Sequence, residues 1–153
     1  MANTYTQLNI HAVFSVKGRE NLLSESIRNE LFPYISGIVK SSGNFPLAVN
    51  GYKDHVHLFF ELSPSLSISD VLEKVKSNSS KWINEKKFMA GRFAWQAGYA
   101  AFSYSRSQRE DVIQYIVSQE QHHKRATFRD EYLNFLEKYK VDYDSRYMFE
   151  FYD

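Results

Sequence analysis

The sequence predicts an α+β fold in which four short strands and two helices follow one another as β-α-β-β-α-β, with two more helices after them. Three observations lead there. The first stretch alternates apolar and polar residues with a period of two, the mark of a half-buried strand. Longer stretches further on carry apolar stripes at helical spacing. The joints between them hold turn and capping residues.

In order, residues 5–16 place Leu8, Ile10, Ala12 and Phe14 on one face and Gln7, Asn9, His11 and Val13 on the other, which is a strand with one strongly apolar side. Residues 24–42 carry Ile27, Leu31, Ile35, Ile38 and Val39 in a helical stripe, with Ser24 as N-cap and Gly43 as the stop. Pro33 falls inside this helix and either kinks it or moves its start past Ser24. Residues 45–52 and 55–62 are two strands joined tightly at Lys53-Asp54. The second, HVHLFFEL, is apolar apart from its histidines, as a central strand covered on both faces must be. Residues 68–87 form a second helix with Val71, Leu72, Val75 and Ile83 inward, and residues 95–105 a fourth strand. Ser107 and Glu110 read as a capping box for a third helix reaching about His123. A last helix, about 128–140, carries Phe128, Tyr132, Phe135, Leu136 and Tyr139 on one side. The order is the ferredoxin-like, split βαβ pattern, with the first and third strands adjacent in mid-sheet and the helices on one face. That fold serves many functions, so chemistry must come from particular residues.

The chain has 153 residues, 43% of them hydrophobic and 24% charged, which fits one globular domain over 1–153. It lacks the long apolar run of a membrane span, and its N-terminal stretch is not built like a signal peptide. With no cysteine there are no disulfides, thiolate metal sites or cysteine nucleophiles, and a cytoplasmic location is expected. The net charge of +1 gives no reason by itself to expect a nucleic-acid partner. Basic residues do cluster locally, at Lys17 with Arg19, at Lys86 with Lys87, and over His122, His123, Lys124 and Arg125. Each cluster taken alone also reads as a solvated surface.

Two constellations carry chemistry. His55-Val56-His57 lies on the third strand, where residues two apart share a face, so both imidazoles emerge together and can share a divalent metal. An isolated pair of this kind also occurs as two merely packed histidines. Tyr115 and Gln119 are four apart on the third helix and lie on one face, while Ile113, Ile116 and Val117 point elsewhere and anchor it.

Taken together and in this order, these motifs resemble those of the single-tyrosine HUH transposases, the insertion-sequence-200-like (IS200/IS605) family. The resemblance covers nearly the whole chain: DHVHLFFEL at 54–62, SNSSKWINEKKF at 77–88, FAWQAGYAAFSYS at 93–105 and YIVSQEQHH at 115–123. It implies that His55, His57 and Gln119 hold Mg²⁺ or Mn²⁺ and that Tyr115 is the nucleophile. It further implies attack on single-stranded DNA with hairpin ends, through a covalent 5′-phosphotyrosine, to excise and insert a mobile element. A homodimer is implied too, in which the tyrosine helix of one subunit can complete the site of the other. His11 is expected beside the metal pair if the first and third strands adjoin. Lys76, Lys81, Lys86, Lys87 and Arg92 are candidate phosphate contacts. Three readings compete: a domesticated relative that nicks repeated hairpins, a non-catalytic module that binds single-stranded nucleic acid, and a hydrolase whose histidines activate water.

Overall fold

The computed structural model describes residues 3–18 and 22–151. Arg19, half of one basic cluster named above, lies outside them. Four antiparallel strands, β1 (Asn9–Ser15), β2 (Phe45–Gly51), β3 (His55–Glu61) and β4 (Ala100–Tyr104), form one sheet in the order β2-β3-β1-β4. The two central strands are therefore β1 and β3. Their register sets Ser15 opposite His55, Val13 opposite His57 and His11 opposite Phe59.

Alternation along the strands sorts their side chains between two layers. Ile10, Ala12 and Phe14 of β1 join Val56, Leu58 and Phe60 of β3 in the core shared with α1 (Glu25–Ser41) and α2 (Ile68–Lys86). The other face carries His11, His55, His57 and Phe59, and the remaining helices cover it: α3 (Arg109–Val117), α4 (Gln119–His123) and α5 (Phe128–Lys138). The pair α1 and α2 thus keeps to one face, as a split βαβ unit requires, and the C-terminal helices enclose the histidines against the opposite one. No helix among the described residues is long and apolar enough to cross a membrane.

Local chemistry explains the boundaries, including those that depart from expectation. The Oγ of Ser24 accepts from the amide of Ile27, so α1 starts at the expected cap and runs through Pro33 to Ser41. Residues 5–8 are exposed, and only the Leu8 carbonyl bonds across, accepting from the Leu62 amide at 2.8 Å, so β1 is shorter than the alternation suggests. The fourth strand is also shorter. Trp95 makes a single bridge to Val16, the chain then turns at Gly98 with φ of 86°, and regular pairing begins only at Ala100. The capping box before α3 uses Ser105 and Gln108, two residues earlier than expected, with the Ser105 amide donating to Gln108 Oε1 at 2.9 Å. The third helix breaks at Ser118, which ends α3 and precedes α4.

The anchoring residues of α3 also differ in part. Val112 and Ile116 are buried against Phe59, whereas Val117 is exposed. At the start of the helix, Arg109 reaches back to the ends of the central strands, donating to Glu61 Oε2 at 2.7 Å and to Asn9 Oδ1 at 2.8 Å. Asn50 of β2 donates to the Ile116 carbonyl at 2.9 Å. These contacts fix the axis of α3 over the sheet, and with it the position of Tyr115.

Candidate active site

The site is built at the end of β3 nearest the β2–β3 hairpin. That hairpin is tight because Gly51 allows it: a Cβ there would sit 2.2 Å from the His55 carbonyl oxygen. His55 and His57 project side by side with ring centroids 5.1 Å apart, and both are fully buried. The ring of His55 is clamped. Its Nδ1 lies 2.7 Å from Asp54 Oδ1, and Phe128 stacks flat on it at 3.9 Å. His57 Nδ1 lies 2.7 Å from Nε2 of His11, so the expected neighbour of the pair is in place.

Two residues that sequence reasoning did not single out complete the cluster. Glu131 of α5 is buried, and its Oε1 lies 3.0 Å from His57 Nε2, 3.3 Å from His55 Nε2 and 3.2 Å from His123 Nε2. Its Oε2 accepts from the amide of Gln119 at 2.9 Å and from the hydroxyl of Tyr115. Gln119 Oε1 in turn lies 3.0 Å from His55 Nε2 and 2.9 Å from His123 Nε2. All four of the residues expected in the site, His55, His57, Gln119 and Tyr115, therefore meet within one chain.

Signals for the two missed residues exist. His123 continues the stripe Tyr115, Gln119 at the same spacing of four. Glu131 sits between Phe128 and Phe135 on the inward stripe of α5, where an unpaired carboxylate would be costly.

The electrostatics centre on Glu131. Burial opposes its charge, but the surrounding histidines win and hold the carboxyl far below its usual range. Burial also disfavours a charged His55. Hydrogen bonds to Asp54 and Glu131 outweigh it and raise the ring to about 9. His57 and His11 go the other way, pushed down by burial, so the second and third rings in the row stay neutral beside the first. Tyr115 is pushed well up by burial and by the negative charge of Glu131, so the phenol is held protonated.

The donor set fits a divalent cation. The side chains of His55, His57, His123 and Glu131 offer ligand atoms within 4.8 Å of one another. Three imidazole nitrogens converge on one carboxylate oxygen that has lone pairs for about two donors, whereas a cation would take the lone pairs of the rings. A set rich in imidazole suits Mn²⁺ better than Mg²⁺, which prefers oxygen ligands and retained water.

The candidate phosphate contacts divide. Lys76 donates to the carbonyls of Gln96 and Gly98 at 2.8 and 2.7 Å, so its ammonium is committed to holding the 96–98 loop rather than free for DNA. Lys81, Lys86, Lys87 and Arg92 are exposed, but on or after α2, across the sheet from Tyr115.

A family model described as "Transposase IS200 like" matches residues 4–119. Among solved structures, the fold is similar to that of a candidate transposase from Deinococcus radiodurans R1, at 22% identity and a TM-score of 0.61, covering 78% of this chain and 95% of that one. It is also similar to a REP-associated tyrosine transposase bound to a REP hairpin, at 13% identity and a TM-score of 0.59, covering 80% of this chain and 73% of that one. No curated protein sequence matches.

Proposed function

The chain belongs to the IS200-like transposase family, and from that premise we propose that it cuts and rejoins single-stranded DNA with Tyr115 as nucleophile and a divalent cation held by His55, His57, His123 and Glu131. One observation carries the reading: the Tyr115 hydroxyl donates to the same carboxylate on which three imidazole nitrogens converge. A nucleophile and a cation cluster joined through one side chain are placed to act on one phosphodiester.

The two oxygens of Glu131 divide the work. Oε1 belongs to the cluster, while Oε2 holds and orients the phenol, whose proton passes to solvent as the tyrosine oxygen bonds to phosphorus. The bond from phosphorus to the 3′ oxygen breaks, and that oxygen takes a proton from water. The products are a 5′-phosphotyrosine and a free 3′-hydroxyl, and a second 3′-hydroxyl reverses the step to join new ends. Gln119 keeps the carboxylate turned through its amide, and its oxygen stands beside the cluster as a further donor. Asp54 and His11 hold the rings of His55 and His57 in orientation from behind. When bound, the cation neutralises charge that develops on the non-bridging phosphate oxygens.

The substrate is single-stranded DNA with hairpin ends, and the REP hairpin held by one structural neighbour supports this choice. Lys81, Lys86, Lys87 and Arg92 would then meet duplex phosphates away from the cleavage site. We retain the homodimer, with each site complete inside its own subunit, since α3 is anchored on Phe59 of the same chain.

The test mixes protein, Mn²⁺ and a hairpin-ended single strand from the DNA flanking its own gene, and looks for a covalent band on a denaturing gel. Wild type should form the band only with metal, and Tyr115→Phe should form none. A band that persists in the variant assigns the nucleophile elsewhere. No band from wild type removes the reading.

A further inference from the structure

Tyr115 lines two cavities, of about 320 and 110 Å³. The larger also touches His11 and Tyr104 of the sheet, and the smaller touches His122 and Glu131. Besides Tyr115, only Phe135 and Lys138 of α5 line both. Helix geometry explains why. Glu131, Phe135 and Lys138 are spaced four and three apart, so they share one face of α5. That face meets the nucleophile: Glu131 accepts from the Tyr115 hydroxyl, and the Phe135 ring lies 5.7 Å from the tyrosine ring. Lys138 ends the same stripe, about 10 Å along the axis from Glu131. Side chains on a helix lean toward its N-terminus, which favours the lysine reaching back over Phe135.

The Lys138 ammonium is not committed to a carboxylate. It makes no ion pair among the described residues, and its Nζ lies 5.4 Å from the centre of the Tyr139 ring. Asp111 lines the larger cavity too, without an ion pair to it. A cation in the last turn also favours the helix end, which accounts for a lysine here on grounds of stability. It does not account for the face on which the lysine stands. The reaction needs positive charge on that face. Glu131 brings a negative charge to the nucleophile, and an approaching phosphodiester brings another, so the two repel. The imidazoles of His55, His57 and His123 gather at Oε1, whereas Oε2 meets Tyr115, the Gln119 amide and, at 3.4 Å, Nε2 of His122. Lys138 is the ammonium present at both openings beside that second oxygen.

We propose that Lys138 is a catalytic residue, whose ammonium donates to a non-bridging oxygen of the scissile phosphate before and during attack by Tyr115. The inference rests on Tyr115 being the nucleophile, because that brings the scissile phosphate to the cavities that Lys138 lines. In-line attack sets the tyrosine oxygen and the departing 3′ oxygen at opposite ends of the phosphorus. The two non-bridging oxygens then project sideways, and charge develops on them. An oxygen turned away from the histidines has Lys138 to meet it, through a charge-assisted hydrogen bond. The bonds made and broken at phosphorus are those already given. The lysine contributes charge and orientation.

The experiment reads two quantities with full-length protein, Mn²⁺ and the hairpin-ended strand whose cleavage point the wild-type adduct has mapped. The first is the single-turnover rate of adduct formation. Lys138→Gln should lower it about 100-fold, the scale of one lost donor to developing charge, and Lys138→Arg should recover most of that. Lys140→Gln, an exposed neighbour past the end of α5, should change it less than about twofold. The second is binding, read by fluorescence anisotropy with Tyr115→Phe protein, which holds substrate without cutting it. The strand carries either a phosphate or a neutral methylphosphonate at the scissile linkage. The neutral linkage should weaken binding about tenfold more when Lys138 is present than in protein that also carries Lys138→Gln. A lysine that only steadies the helix end would give equal penalties in both. Equal penalties, or an adduct rate for Lys138→Gln within about threefold of wild type, overturn the proposal, and an adduct that still forms with wild type then leaves the catalytic reading intact. If wild type forms no adduct on any such strand, the catalytic reading has failed and this inference falls with it.

Discussion

Raising the pH of the metal-free protein from 7.5 to 9 should lower its stability, and the amount follows from one ring. His55 is held at about 9 against its ordinary 6.5, because hydrogen bonds to Asp54 and Glu131 outweigh its burial. A group raised in this way adds stability that is whole below about 6.5 and is lost as pH climbs through 9. His57, His11 and His122 are lowered instead, so their effect has the opposite sign, but it is complete before pH 7.5. Over the upper window His55 therefore dominates. At about 1.4 kcal/mol for each pH unit the loss is about 2 kcal/mol. For a chain of this size that is a fall in Tm of roughly 4–8 °C. The assay is thermal unfolding in EDTA across that range, with Asp54→Asn beside wild type. The variant loses the negative charge that helps to raise the ring, so its slope should shrink. A Tm that stays flat or rises in wild type would refute the charged His55 and with it the account of the carboxylate hub.

Three further outcomes are expected. Mn²⁺ must displace the His55 proton, so isothermal titration at pH 7.5 should show proton release and an affinity that rises with pH up to about 9; uptake of protons would contradict this. Glu131→Gln and His123→Ala should each weaken Mn²⁺ binding by at least about 10-fold, the scale of losing even a supporting group at a metal site, and affinity equal to wild type would exclude that residue from the cluster. Gly51→Ala should destabilise by about 1–3 kcal/mol, because the new Cβ meets the His55 carbonyl and the hairpin must shift, and a denaturation midpoint equal to wild type would show that it need not.

Much of this was legible in the residues. The run HVHLFFEL marked β3 as central, because a strand covered on both faces tolerates such a run, and the βαββαβ order put β1 beside it; the alternation of β1 read as a half-buried strand, whereas the C-terminal helices bury it on both faces. The motifs around His55, His57, Tyr115 and Gln119 supplied four members of the site. What the sequence hid depended on tertiary packing. The ends of β1 and β4 fall short of the pattern because Leu8 and Gln96 each make one backbone bond, to Leu62 and Ser15, without a continuing ladder, and periodicity does not report where a ladder stops. The break at Ser118 lies inside an unbroken helical pattern, and only the seating of Val112 and Ile116 on Phe59 fixes which turn of α3 is held. Lys76 read as a surface cation until two carbonyls of a distant loop claimed it.

Glu131 shows most clearly why motif reading stopped short. Its neighbours in sequence are those of an ordinary amphipathic helix, and its meaning comes from six partners on three other elements: His55 and His57 of β3, Tyr115 of α3, and Gln119, His122 and His123 of α4. The arrangement is self-restraining. The carboxylate that positions the Tyr115 oxygen also raises the cost of ionising it, since a phenolate beside an anion is disfavoured. Positive charge drawn to Oε1 weakens the repulsion at Oε2 while leaving the geometry in place. On the proposed reading Glu131 orients the Tyr115 oxygen at all times, and a cation on the cluster would ease its ionisation through that same buried side chain.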